Sequence, residues 1–85
     1  MRITNHFRQD VLENPKRPGI TVDLCERIVE AAEYTNQQDD GLWRIWGYAP
    51  EAGYWIKVVT SEDRQTLITA HKDRNFTRRI EREGG

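Results

Sequence analysis

Residues 54–76 read YWIKVVTSEDRQTLITAHKDRNF. Two runs in this stretch, YWIKVVT (54–60) and QTLITAH (65–71), are rich in β-branched and aromatic residues at a period of two. The intervening SEDR is turn material, so the stretch predicts a β-hairpin. Upstream, LWRIWGY (42–48) has the same character, opened by the turn pair Asp40-Gly41 and closed by APEAG. Three consecutive strands with short connections predict an antiparallel meander, and a short strand near Tyr34 to Gln37 would make a fourth. Register decides which side chains share a face. Pairing Tyr48 with Tyr54, and Ser61 with Arg64 across the Glu62-Asp63 tip, puts Arg44, Trp46, Tyr48, Tyr54, Ile56, Val58, Leu67, Thr69 and His71 together. Both faces are chemically mixed, so the pattern leaves open which one the helices cover. A bulge in APEAG would shift every assignment on the first strand of the meander.

The first half of the chain has a different period. HFRQDVLEN (5–13) places Phe7, Val11 and Leu12 at helical spacing, and Pro15 followed by KRPG closes the segment. Thr21 can cap a second helix over 22–34, with Asp23 in its first turn and Ile20 placed to meet Cys25 as a hydrophobic staple. Val22, Cys25, Ile28, Val29 and Ala32 recur at steps of three and four, with charged residues on the opposite side. The predicted class is α+β: two N-terminal helices followed by a twisted antiparallel sheet of three to four strands. One domain spans 1–76, and 77–85 forms a basic, frayed tail with little to bury beyond Ile80.

Composition narrows the function classes. Eighty-five residues make one domain, and a chain of that size buries only about 60% of the surface it exposes when unfolded. Cys25 is the sole cysteine, which excludes an internal disulfide and a CxxC zinc site and points to a reducing, cytoplasmic setting. The N-terminus lacks the apolar run of a secretory signal, and no segment approaches the roughly 20 apolar residues of a membrane span. A soluble protein without membrane association is expected. A net charge of −1 argues against a protein that coats nucleic acid indiscriminately. The charge is nonetheless unevenly distributed. Residues 22–40 hold six carboxylates against Arg27 alone, whereas 70–82 hold five cations against Asp73 and Glu81.

The candidate chemistry lies where the hairpin ends. An imidazole such as that of His71 can serve as general acid or base, while Lys72, Arg74 and Arg78 can hold phosphate. Cleavage of RNA by its own 2′-hydroxyl needs little more than that. The plainer alternative is a solvated strand end with a local Asp73–Arg74 pair and a solubilising tail. His6, at the start of the first helix, is a candidate second acid or base, against a plain exposed histidine. The aromatic residues Trp46, Tyr48 and Tyr54, with Arg44 interleaved, could stack single-stranded bases, whereas the remaining tryptophans fill the core. Asp39, Asp40 and Glu33 could hold Mg²⁺, but QQDDG reads better as a turn, so no metal and no cofactor are expected. Cys25 reads as a small core residue.

The helix beginning at His6, the RPGIT helix start (17–21), DGLWRIWG (40–47), IKVVT (56–60) and LITAHKDRNF (67–76) together resemble small bacterial proteins of the barnase, EndoU, colicin and RelE-like superfamily, which includes the RelE, ParE and BrnT toxins. The resemblance covers residues 5–76 and implies a RelE-like fold. It also implies a metal-independent endoribonuclease of toxin–antitoxin type, neutralised by an antitoxin-like protein partner. By that analogy the site lies on the open sheet face and its terminal basic residues, Arg44, His71, Arg74 and Arg78, with His6 entering from the helix. Together with the residue chemistry above, His71, Arg74 and His6 are the expected catalytic residues and Arg44, Trp46, Tyr48, Tyr54, Lys72 and Arg78 the expected RNA contacts. The chain departs from the group in being mildly acidic. The alternatives are RNA binding without turnover and a non-catalytic interaction module that docks through the acidic helix or forms a homodimer through a sheet edge.

Overall fold

The computed structural model describes residues 1–84. They form β1 (Arg2–Ile3) and α1 (Asn5–Phe7), which runs on as a π-helical turn (Arg8–Leu12), then α2 (Val22–Ala31) and β2 (Tyr34–Gln37). The meander follows as β3 (Trp43–Ala49), β4 (Tyr54–Thr60) and β5 (Thr66–Lys72), and α3 (Arg74–Gly84) completes the described chain.

The class is α+β, and the meander strands stand where the period of two places them. The sheet differs from the expected three to four antiparallel strands. It has five, in the order β1-β5-β4-β3-β2, and it is mixed because β1 runs parallel to β5. The Arg2 N–H donates to Gln65 O at 2.9 Å and the Thr4 N–H to Leu67 O at 3.1 Å. A strand of two residues has no period to read, and its partner lies at the far end of the sequence. The tail is the second correction, since residues 77–84 continue α3, while Gly85 falls outside the described residues.

Each helix starts at a side chain that satisfies otherwise unpaired backbone donors. Thr4 accepts from the Phe7 N–H at 3.0 Å, and Thr21 accepts from the Leu24 N–H at 3.1 Å. Phe7 and Val11 are buried by the first helical segment, whereas neighbouring Leu12 remains 40% exposed. α2 buries Leu24, Cys25, Ile28 and Val29. It stops short of residue 34 because Ala32 turns left-handed at φ 46° and sends the chain into β2.

The register departs from the expected pairing in a specific way. Tyr48 pairs with Trp55 and Ala49 with Tyr54, one residue away from a Tyr48–Tyr54 pair. The cause is a tight turn in which the Gly53 N–H reaches Ala49 O at 2.8 Å, with Gly53 at φ 71°. On the other side of β4, His71 pairs with Lys57, and a bulge between Val59 and Thr60 together with Arg64 at φ 61° lengthens the turn. The two shifts cancel between β3 and β5. Arg44, Trp46, Tyr48, Thr69 and His71 do share a face, but β4 is turned over, so they neighbour Trp55, Lys57 and Val59 rather than Tyr54, Ile56 and Val58. The bulge also puts Leu67 on the opposite face.

That opposite face carries Ile45, Gly47 and Ala49 beside Ile56 and Val58, all buried beneath α1 and α2. Gly47 lets α2 approach closely, because a Cβ there would come within 2.7 Å of Ile28 Cγ1. The second face is covered at one end by α3. Phe76, 7% exposed, stacks on Trp46 with ring centroids 5.0 Å apart and meets Trp55 and Tyr34 edge-on at 5.4 Å each. The Trp55 N–H donates to Thr77 Oγ at 3.0 Å, which ties α3 to β4.

Candidate functional site

β1 pairs with β5 only at Thr66 and Leu67, so beyond them the outer edge of β5 lacks a strand partner. Free strand edges are satisfied by other groups or by solvent. Here the Pro-bracketed loop after the first helix folds back over the edge. Asn14 shapes it by accepting from the Lys16 N–H at 2.9 Å, while the Arg17 N–H bonds Asn14 O at 3.0 Å. The Arg17 guanidinium then donates to Ala70 O at 3.2 Å and to Thr69 Oγ at 3.4 Å.

This fold-back bounds a half-open hollow of about 230 Å³ lined by Lys16, Arg17, Ile20, His71, Lys72 and Arg74. Four cations and one imidazole surround it, and no carboxylate is among its lining residues. The nearest acidic residue in sequence, Asp73, is committed elsewhere. Its Oδ1 caps α3 by accepting from the Phe76 N–H at 3.0 Å, and its Oδ2 accepts from the Trp46 indole N–H at 3.0 Å. Burial pushes the Asp73 carboxyl up, but these two hydrogen bonds and the nearby Lys57 and His71 charges outweigh it and hold the group below the usual carboxylate range.

The imidazole is oriented by its own strand end. His71 Nδ1 lies 2.9 Å from Lys72 O. A carbonyl oxygen can only accept, so in the neutral ring the proton sits on Nδ1 and Nε2 keeps its lone pair. That tautomer gives His71 a proton acceptor beside a cationic cavity.

A second cleft of about 470 Å³ adjoins it, lined by Gly53, Tyr54, Arg74, Thr77, Arg78 and Glu81. Arg74 lines both hollows, and Lys72 of the first has its Nζ 5.0 Å from the ring centroid of Tyr54 in the second. A third hollow, about 480 Å³, has a wall of Tyr34, Trp46 and Phe76 with Asp73. It is aromatic rather than cationic.

The structure therefore brings together His71, Lys72 and Arg74, and joins Tyr54 and Arg78 to them through Arg74. It does not bring in the others. His6 lies on α1, over the helix-covered side of the sheet, with Nε2 2.9 Å from Asp10 Oδ2 and its side chain 60% exposed. Arg44 is an exposed residue of β3 opposite Asn36 and Val59 and lines none of these three hollows. Trp46 is engaged by Phe76 and Asp73 and serves as the floor on which α3 sits. Tyr48 is 46% exposed and meets Trp55 edge-on at 5.9 Å.

Lys16 and Arg17 escape sequence reasoning. The available signal is a pair of cations in a loop stiffened by Pro15 and Pro18, which reads as a helix stop unless the vacant edge of β5 is known. Among the described residues, no three His, Cys, Asp or Glu side chains gather as cation ligands. Asp40 instead accepts from the Leu42 N–H at 2.9 Å, as a turn residue does. Burial, helped by the Glu26 charge, pushes the Cys25 thiol up to about 12, which leaves it unreactive. No helix among the described residues is long and apolar enough to cross a membrane. In comparisons with protein-family models, curated proteins and solved structures, nothing matches this chain.

Proposed function

We propose that the domain binds single-stranded RNA through its phosphates at the β5–α3 junction and cleaves it without metal. The observation that carries this reading is the convergence of Lys16, Arg17, Lys72 and Arg74 with His71 on one cavity whose lining holds no carboxylate. Positive charge gathered at one place is matched to the charge that grows on a phosphorane-like transition state. His71 Nε2 takes the proton of the 2′-hydroxyl, the 2′-oxygen attacks phosphorus, and the bond from phosphorus to the 5′-oxygen breaks. The departing oxygen takes a proton from water. The products are a 2′,3′-cyclic phosphate and a free 5′-hydroxyl. The resemblance to RelE-like toxins supports the same chemistry and adds an antitoxin-like partner as an expectation.

Labelled single-stranded RNA incubated with wild type, His71→Ala and Arg74→Ala tests this. Wild type retards and cuts the RNA and leaves cyclic phosphate ends. His71→Ala lowers cutting at least about 100-fold, the usual contribution of a positioned acid–base group, while Arg74→Ala weakens both binding and cutting. RNA that is neither retarded nor cut at low salt overturns the reading. Such a result would favour a protein-interaction module docking at β2, all four residues of which are exposed at the edge of the sheet.

A further inference from the structure

The cationic cavity and the cleft beside it share one side chain. Arg74 lines both, and Arg78, one helical turn further along α3, lines only the second. Resting on the function proposed above, we infer that these are two successive phosphate subsites, so that the ligand is an oligonucleotide strand engaging through two consecutive phosphodiesters. The cavity with His71 holds the reacting phosphate and the Arg74–Arg78 cleft holds its neighbour.

Three features support this. Residues four apart on a helix lie on one face, about 5–6 Å from each other, a spacing that suits adjacent phosphates of an unstacked strand. Lys72 of the first hollow and Tyr54 of the second are in contact, with the ammonium 5.0 Å from the ring centroid. The path between them is thus cationic with one aromatic surface, the combination that accommodates a sugar–phosphate backbone with a base beside it. Finally, the second cleft is shaped to take an anion of limited charge. It offers two guanidinium groups but includes the carboxylate of Glu81, so it suits a singly charged diester better than a doubly charged terminal phosphate.

The length dependence of binding tests the inference with deoxythymidine di-, tri- and tetranucleotides, which lack the 2′-hydroxyl and cannot be cut. Binding is followed at low salt by NMR shifts of the wild-type protein. The step from one phosphodiester to two raises affinity about tenfold, as one added charge-assisted contact does, and the step from two to three changes it less than about twofold. Arg78→Ala reduces the first step to less than about twofold, and Glu81→Gln enlarges it. Arg78 and Glu81 are both exposed on α3, and circular dichroism checks that the variants keep the fold. An even increment for every added phosphate, or a first step untouched by Arg78→Ala, overturns the two-subsite inference while leaving the cavity as a phosphate site. Absence of binding by all three oligonucleotides overturns the underlying function as well.

Discussion

Asp73 stands between the two halves of the molecule's chemistry. It follows the two strand-end residues that line the cationic cavity, yet its carboxylate faces away from that cavity toward Trp46 and the start of α3. Ionised, it accepts both hydrogen bonds; protonated, it loses much of each. Its folded form titrates below the ordinary value of 3.8, so on acidification the unfolded chain takes up the proton first. The stabilisation is therefore complete above that value and is lost as the pH falls through the lower folded value. Asp73→Asn keeps one oxygen acceptor but turns an NH2 toward a donor and removes the charge, and should cost about 1 kcal/mol at neutral pH. The gap to wild type should narrow as the pH falls below 3.8. Urea denaturation at stepped pH reads this, and an undiminished gap in acid would show that the charge is not what matters. In the sequence, Asp73 reads as a local partner for Arg74. Its actual partners, an indole from β3 and an amide one turn ahead, depend on a register that no single strand discloses.

The elements differ in how much of themselves they display. β3, β4 and β5 are legible because β-branched and aromatic residues alternate through each, and α2 because an apolar stripe follows a capping threonine. α3 is hidden, since only Phe76 and Ile80 are large apolar residues in it and the aromatic floor beneath it is assembled from β2, β3 and β4. That floor determines whether the segment folds. Phe76→Ala should remove most of the apolar contact of α3 and cost about 3 kcal/mol, with the helix detaching before the sheet unfolds. Limited proteolysis should then cut within 74–84 while the remainder stays intact. A variant as resistant as wild type would mean that the Asp73 cap and the Thr77 tie to β4 suffice. β1 was illegible for a different reason, being too short for any pattern. It nevertheless has a consequence for the site: by ending after two residues it leaves the rest of the β5 edge to the loop that delivers Lys16 and Arg17.

Across the whole molecule, a net charge near zero conceals two helices of opposite sign. The carboxylates of α2 lie over the helical face of the sheet, and the arginines of α3 lie over the other. The imbalance between the two segments is plain from the sequence, but their placement on opposite faces is not: α2 packs over Gly47 and α3 over Trp46 and Trp55. This arrangement orients an approaching strand of phosphates and repels it from the wrong side. With two phosphates engaged, RNA affinity should fall about sevenfold between roughly 50 and 200 mM salt, given a slope of about 0.7 per phosphate for single strands. Anisotropy titrations at several salt concentrations check the slope, and a flat response would exclude phosphate contact as the source of binding. The seat of α3 has one further use. Because Trp46 and Trp55 both lie directly against Phe76, the natural indole emission of the protein should redden when that helix lifts. The chain thus carries its own unlabelled optical gauge of whether the cationic rim is assembled.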